Sequence, residues 1–203
     1  MSEEALRHGP LDHTCMHLCV DMQGMFAEKT DWHTPWMLRA LPNVRRIVAA
    51  QPDRTVFTRF IPAERPGQGR GTWARYYDRW ASMTKAELDP ALIELVPELL
   101  SFARDGHVFD KTVYSPWPET SLDAWLQGRD TSTLIVTGGE TDVCVLATVL
   151  GAVDLGYRIV VVTDAICSSS DAAHDALLTL YRSRYGQQVE TVTTDVVLRS
   201  WNP

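Results

Sequence analysis

Residues 136–145 read Val136-Thr137-Gly138-Gly139-Glu140-Thr141-Asp142-Val143-Cys144-Val145. The apolar, β-branched residues 133–137 predict a buried strand, two glycines interrupt it, and a helical segment follows. Cys144 therefore stands in the first turn of a helix, just beyond the carboxyl end of a strand. Helix N-termini carry partial positive charge and unpaired N–H groups, so this position favours a reactive thiolate. The competing interpretation is a small apolar residue in the core, because free cysteine is often buried.

Short apolar runs alternate with helical segments along the rest of the chain. We predict strands over residues 17–20, 55–60, 107–110, 133–137, 158–163 and 188–193. We predict helices over residues 42–51, 91–100, 122–126, 143–155 and 171–184. Several strands lack polar alternation, as expected of parallel strands that are covered on both faces. The pattern predicts one α/β domain over residues 1–203, with a doubly wound sheet whose ligand crevice lies beyond the carboxyl ends of the strands.

Composition excludes several classes of protein. The chain has 203 residues and a net charge of −7, which argues against a nucleic-acid partner because no basic surplus is present. Its four cysteines are too few for a disulfide framework. Met1-Ser2-Glu3-Glu4 lacks the charge order of a signal peptide, and the longest apolar stretch, residues 143–153, is too short to cross a bilayer. We therefore expect a cytoplasmic protein with no membrane partner.

Residues 61–88 interrupt the alternation of strands and helices. This segment is rich in Gly, Pro and Arg, and it carries Trp73, Tyr76, Tyr77 and Trp80 at near-helical spacing. A long irregular insertion after a strand is often functional. Two interpretations stay open, a wall of the ligand pocket and an interface with another subunit. Guanidinium groups pair with carboxylates at two points, so Arg59, Arg65 and Arg75 are candidates for holding a substrate carboxylate. The alternative is that these arginines lie on the surface.

Two further strand ends carry charged residues. Asp21 follows the first predicted strand, and Lys111 follows the third. Neighbouring strands lie about 4.8 Å apart, so groups at these ends converge with Cys144 if the strands are neighbours. A carboxylate beside a thiol can take its proton, and an ammonium group favours the ionised form of both. The alternatives are that Asp21 caps a turn and that Lys111 lies on the surface.

These residues belong to a set of ordered motifs that resembles the isochorismatase-like cysteine hydrolase superfamily. The matching motifs are Val20-Asp21-Met22-Gln23, Lys111-Thr112-Val113-Tyr114-Ser115-Pro116-Trp117, Gly138-Gly139-Glu140-Thr141-Asp142-Val143-Cys144-Val145, Val162-Thr163-Asp164-Ala165 and Ser170-Asp171-Ala172-Ala173-His174. The resemblance implies a three-layer α/β/α sandwich with a six-stranded parallel sheet in the order 3-2-1-4-5-6, which would put the Asp, Lys and Cys strands side by side. It also implies a cis peptide bond between Gly139 and Glu140 that aims the N–H groups of Glu140 and Cys144 at one point, as an oxyanion hole.

The chain departs from one branch of this superfamily. Nicotinamidase-type members carry a metal site after the second strand, built from Asp-x-His and a further His. Here that region reads Arg59-Phe60-Ile61-Pro62, and no histidine occurs between Arg54 and Gly106. Asp31-Trp32-His33 has the spacing of the motif but precedes the second strand, so we assign it no metal-binding role. We expect neither a metal nor a cofactor.

The resemblance and the residues together predict an enzyme that hydrolyses a C–N bond in a small amide, carbamoyl or ureido compound through a thioester. Asp21 is the expected base, Cys144 the nucleophile and Lys111 the electrostatic partner. Candidate substrate-binding residues are Phe26, Arg59, Trp73, Tyr76, Tyr77, Trp80 and Trp117. The alternatives are an isochorismatase-type vinyl-ether hydrolase, which needs no thiol, and a catalytically silent binding domain. A homo-oligomer, dimer or tetramer, is also expected.

Overall fold

The computed structural model describes residues 5–104 and 106–202. Met1 to Glu4, on which the expectation of no signal peptide rests, lie outside the described residues. Within the described residues, parallel strands form a six-stranded sheet in the order β3-β2-β1-β4-β5-β6. The strands are β1 (Cys15–Val20), β2 (Thr55–Phe60), β3 (Val108–Lys111), β4 (Thr133–Gly139), β5 (Arg158–Cys167) and β6 (Val189–Val192). The fold class and strand order predicted from the sequence are confirmed.

Helices connect these strands. They are α1 (Gly24–Ala27), α2 (Met37–Ala50), α3 (Thr72–Arg79), α4 (Pro97–Leu100), α5 (Leu122–Gln127), α6 (Cys144–Asp154), α7 (Asp171–Ser183) and α8 (Thr194–Ser200). Short 3₁₀ turns cover Pro52–Arg54, Ala81–Met83 and Pro90–Ile93. A search of the described residues found no helix with the length and apolar character that a membrane crossing needs.

The sheet is covered on both faces, which explains the apolar runs without polar alternation. Alternate residues of β1 point to opposite sides, so Cys19 packs in one apolar layer and Leu18 in the other. Helices α2 and α8 complete the first layer, and α5, α6 and α7 complete the second. Burying one large apolar side chain contributes roughly 1.5–3 kcal/mol, so these two layers supply the main stabilisation of the sandwich.

Two helix predictions were wrong in their extent. The predicted helix over residues 91–100 is a 3₁₀ turn followed by the short α4, because Pro97 disfavours helical geometry at Val96, where ψ is 146°. The helix predicted to begin at Pro42 begins at Met37 instead. Met37 and Leu41 are buried there, and this packing outweighs the cost of a proline inside the helix. The segment 61–88, expected to be irregular, contains α3.

His17 lies within β1 and is fully buried. Its Nε2 is 2.8 Å from Thr137 Oγ1 on β4, and its Nδ1 is 3.2 Å from Thr55 Oγ1 on β2. Burial lowers the pKa of His17 to about 3, because the charged imidazolium would lose its hydration. A neutral His17 therefore links three central strands through both ring nitrogens.

The free energy of unfolding is expected to fall by roughly 2 kcal/mol between pH 7 and pH 5 through His17 alone. In this range the unfolded chain binds a proton at His17, with its ordinary pKa near 6.5, whereas the folded chain binds none until the pH approaches 3. Acid therefore favours the unfolded state. Urea unfolding at both pH values should show that His17→Gln loses this part of the pH dependence, whereas His13→Gln, an exposed control, keeps it. An unchanged pH dependence in His17→Gln would contradict the prediction.

Candidate active site

The carboxyl edge of the sheet brings Asp21, Lys111 and Cys144 together. Asp21 follows β1, Lys111 ends β3, and Cys144 begins α6 after the turn that leaves β4. Lys111 Nζ lies 2.6 Å from Asp21 Oδ2, and both side chains are fully shielded from solvent. Both Asp21 and Lys111 are within hydrogen-bonding reach of the Cys144 thiol.

The resemblance implied that the strands of Asp21, Lys111 and Cys144 lie side by side, and this is wrong. Strand β2 separates β1 from β3, so Lys111 reaches Asp21 across the end of β2. Its Nζ passes 5.1 Å from the centroid of the Phe60 ring, at the last residue of β2. Lysine is long enough for this because its charge sits at the end of a four-carbon stem.

The Asp21 carboxylate is held from two sides. Thr58 Oγ1 donates a hydrogen bond of 2.6 Å to Asp21 Oδ1, while Lys111 binds the other oxygen. The backbone of Asp21 adopts φ +48°, a left-handed conformation that few residues other than glycine adopt, and its N–H donates to Thr58 O. A tight turn and two side chains therefore fix the direction of this carboxylate.

The electrostatics of Cys144 differ from the sequence-based expectation. Burial raises the pKa of the Cys144 thiol well above its ordinary value, and the negative charge of Asp21 raises it further, against the opposing effect of Lys111. For Lys111, burial alone would lower the pKa, but the charges of Asp21 and Cys144 outweigh burial and raise it. The arrangement at rest is a neutral thiol beside an Asp21–Lys111 ion pair. Such a thiol needs a base at the moment of attack.

The turn between β4 and α6 is fixed by its neighbours. The peptide bond between Gly139 and Glu140 is cis. Glu140 Oε1 accepts hydrogen bonds from Ser169 N at 2.8 Å and from Thr34 Oγ1 at 3.3 Å. Thr141 donates its N–H and its hydroxyl to Cys167 O. The turn leads into the first residues of α6, whose N–H groups have no partner within the helix.

Cys144 lines a cavity of about 290 Å³ beyond the carboxyl ends of the strands. The other residues that line it are Phe26, Asp31, Trp32, His33, Phe60, Tyr76, Trp80, Tyr114, Glu140, Val143 and Ser169. A second cavity, of about 460 Å³, lies between the start of α2 and α7 and includes none of Asp21, Lys111 and Cys144. The smaller cavity is therefore the candidate active site, because Cys144 lines it, although the second cavity is larger.

The structure divides the predicted binding residues into three groups, of which two form or support the cavity wall. Phe26, Tyr76 and Trp80 line the cavity. Tyr77 is buried, and Trp73 packs edge-on against Tyr114, with ring centroids 4.9 Å apart, so these two rings support the wall from behind.

Two of the predicted binding residues lie elsewhere. Arg59 forms ion pairs with Asp110, its partner on the neighbouring strand β3, at 2.8 Å, and with Glu94, at 2.5 Å. Trp117 donates its indole N–H to Thr148 O at 2.9 Å and stacks on Tyr157. Neither residue lines the cavity, nor does Arg65 or Arg75, so none of the candidate arginines stands in the cavity wall.

Asp31, Trp32 and His33 line the cavity although the sequence analysis gave them no place in a site. Trp32 stacks on Phe26 with ring centroids 6.1 Å apart. His33 Nδ1 lies 2.9 Å from Glu28 O, and Asp31 Oδ2 accepts a hydrogen bond from Ser82 at 2.5 Å. Their Asp-x-His spacing was the signal that could have found them. Over residues 5–104 and 106–202, no group of three or more His, Cys, Asp or Glu is arranged to hold a metal ion.

Comparisons with known proteins bear on the family and the fold of this chain. A family model described as the isochorismatase domain matches residues 15–195. A probable inactive nicotinamidase of Arabidopsis thaliana is 28% identical over 163 residues, which cover 78% of this chain and 83% of that protein. The crystal structure of a cysteine hydrolase from Pseudomonas syringae pv. phaseolicola 1448A has a TM-score of 0.78 at 23% identity, covering 98% of both chains. That of N-carbamoylsarcosine amidase from Thermoplasma acidophilum has a TM-score of 0.70 at 21% identity, covering 89% of this chain and 96% of the other. At these identities, the likeness to the two solved structures shows the fold alone.

Proposed function

This chain belongs to the isochorismatase family of hydrolases, and we propose that it cleaves the C–N bond of a small amide, carbamoyl or ureido compound through a thioester on Cys144. The observation that carries the proposal is the position of the Cys144 thiol at the cavity wall, where the buried Asp21–Lys111 pair acts on it through charge and hydrogen bonding. A thiol, a base and a fixed cation in contact are the groups that nucleophilic acyl transfer requires.

In the first half of the proposed reaction, the Asp21 carboxylate takes the thiol proton as Cys144 Sγ attacks the carbonyl carbon. The N–H groups of Glu140 and Cys144 then stabilise the oxyanion that forms when the C=O bond opens. When the C–N bond breaks, the leaving amine takes the proton back from Asp21, and the acyl group remains on Cys144 as a thioester. Lys111 keeps Asp21 in place and balances its charge before and after each transfer.

Water completes the reaction. Asp21 takes a proton from a water molecule whose oxygen attacks the thioester carbonyl, and the acid is released as the C–S bond breaks. The thiolate that leaves recovers its proton from Asp21, so the site returns to its starting state. The same carboxylate thus serves as base and acid in both halves of the reaction.

Two relatives bear on the reaction class. N-carbamoylsarcosine amidase is named for the cleavage of a C–N bond, which supports the amide-type reading. The Arabidopsis relative is named as probably inactive, which supports a silent binding protein as the second candidate. The presence of Asp21, Lys111 and Cys144 together argues against an inactive protein, because a scaffold has no chemical need for a buried ion pair beside a thiol.

A screen for released ammonia over small amides, ureas and carbamoyl amino acids tests the proposed function. We expect turnover of amides that fit a cavity of about 290 Å³, and we expect it to survive prolonged treatment with a chelator followed by desalting. Activity that is lost and then restored only by zinc, iron or manganese would contradict a metal-free mechanism. Absence of ammonia from every compound, with vinyl ethers also untouched, would favour the silent binding protein.

A further inference from the structure

The walls of the candidate active site consist mainly of aromatic rings and carry negatively charged side chains. Six aromatic rings line it, those of Phe26, Trp32, Phe60, Tyr76, Trp80 and Tyr114. The charged lining groups are the carboxylates of Asp31 and Glu140. Among the described residues that line the cavity there is no arginine or lysine, and the nearby Lys111 is buried against Asp21. The cavity therefore offers aromatic faces and negative charge to whatever enters it.

The two carboxylates of the wall act as hydrogen-bond acceptors. Asp31 is fixed through one oxygen by Ser82, and Glu140 through one oxygen by Ser169 and Thr34. Carbonyl oxygen only accepts hydrogen bonds, so the contact between His33 Nδ1 and Glu28 O puts the ring proton on Nδ1.

Aromatic rings and carboxylates favour the same kind of ligand. The face of an aromatic ring attracts a cation, with a gain of about 0.5–2 kcal/mol that is larger where water is excluded, and aromatic cages bind quaternary ammonium groups in this way. Trp32 is central to the wall, with ring centroids 6.1 Å from Phe26 and 5.7 Å from Tyr76. A carboxylate in the same place would be repelled by the partial negative charge on the ring faces and by the carboxylates of Asp31 and Glu140.

We propose that the part of the substrate that does not react carries a positive charge, as a protonated amine or a quaternary ammonium group. The aromatic rings of the wall and the Asp31 carboxylate bind that charge while the amide carbonyl lies at Cys144. This inference rests on the proposed function and adds the substrate class to it. Amides that bear a carboxylate are correspondingly poor substrates, because no arginine or lysine lines the wall to pair with them and Asp31 and Glu140 repel them.

Three amides with one spacer test the charge preference. They are 4-(trimethylammonio)butanamide, its neutral isostere 5,5-dimethylhexanamide, and glutaramate, compared by kcat/KM for ammonia release. We expect the cation to exceed its neutral isostere by about tenfold or more, the scale of one cation–aromatic contact with one carboxylate, and glutaramate to be the slowest. Asp31→Asn should reduce the ratio of cation to isostere severalfold. Asp154→Asn, which makes the same charge change on an exposed residue at the end of α6, should leave the ratio unaltered.

A binding measurement separates failure of this inference from failure of the proposed function. Calorimetric titration of the protein with choline and with its neutral isostere 3,3-dimethylbutan-1-ol needs no turnover. Tighter binding of choline that weakens in Asp31→Asn supports the inference even if no amide is hydrolysed, in which case the hydrolase proposal fails alone. Hydrolysis of the neutral amide or of glutaramate at least as fast as the cation, with no preference for choline, overturns the inference and leaves the hydrolase standing.

Discussion

Replacement of Cys144 by alanine is expected to lower the turnover of any amide substrate by roughly 1,000-fold or more, because loss of the nucleophile removes the covalent route. The fold should survive, since alanine removes only the sulfur atom from a buried position and suits the first turn of α6. Asp21→Asn should be nearly as damaging, because an amide cannot take the thiol proton. Single-turnover and steady-state ammonia release measure both losses, and circular dichroism checks the fold.

The other three cysteines provide matched controls. Cys15, Cys19 and Cys167 are buried, and burial raises the pKa of each thiol, to about 12 for Cys167. Cys15 precedes the strand predicted over residues 17–20, but it begins the observed strand β1 and is buried. Alanine at Cys19 or Cys167 should cost stability more than rate, because these side chains pack in the apolar layer beneath α2.

Iodoacetamide offers an independent measurement on the unaltered protein. Because burial raises the pKa of all four thiols, selectivity has to come from access. Cys144 lines the candidate active site and is 6% exposed, whereas Cys167, which lines the larger cavity, is 1% exposed. Limited alkylation, read by peptide mass, should therefore modify Cys144 first and remove activity in proportion. Full activity in Cys144→Ala would end the covalent mechanism and leave the vinyl-ether reaction as the better account.

Substitution of Gly138 by alanine is expected to destabilise the protein by roughly 2–5 kcal/mol, from a strained backbone together with crowding. Gly138 has φ +107°, where a side chain is strained, and a Cβ there would lie 2.0 Å from the backbone oxygen of Val20. Val20 is its partner in the central β1–β4 pairing, so relief would require the two strands to separate. Urea unfolding measures the loss.

Gly156→Ala is the control for the backbone component of this effect. Gly156 also has a positive φ, +89°, but no atom lies within 4 Å of the position of an added Cβ. It should therefore show only the conformational cost, so that Gly138→Ala is the more destabilising by roughly 1–3 kcal/mol. Equal losses in the two variants would show that contact with Val20 contributes nothing.

Local sequence predicted most of the sheet because the relevant signals are short in range. The strand predicted over residues 55–60 is β2 exactly as observed, and the one over residues 158–163 begins β5 correctly but ends four residues early. β-branched apolar runs, glycine turns and helix starts act within a few residues, so they can be read without the partners of each strand. The strand order came from the ordered motifs of the family resemblance rather than from these patterns.

The content of the site depended on contacts between distant segments. Asp31, Trp32 and His33 precede β2 in the chain, yet the fold places them beside Cys144, more than a hundred residues later. The sequence made Arg59 a candidate for the pocket, but its side chain forms ion pairs with Asp110 and Glu94 instead.

The sequence by itself therefore determined the α/β architecture and the strand ends that carry Asp21, Lys111 and Cys144. Only the tertiary structure decided that Lys111 crosses β2, that the Cys144 thiol is neutral at rest, and that the cavity wall is aromatic and acidic. The physical reason is that burial and electrostatic interaction depend on distance in space. A helix start favours a thiolate locally, but desolvation by segments far along the chain, with the charge of Asp21, outweighs it.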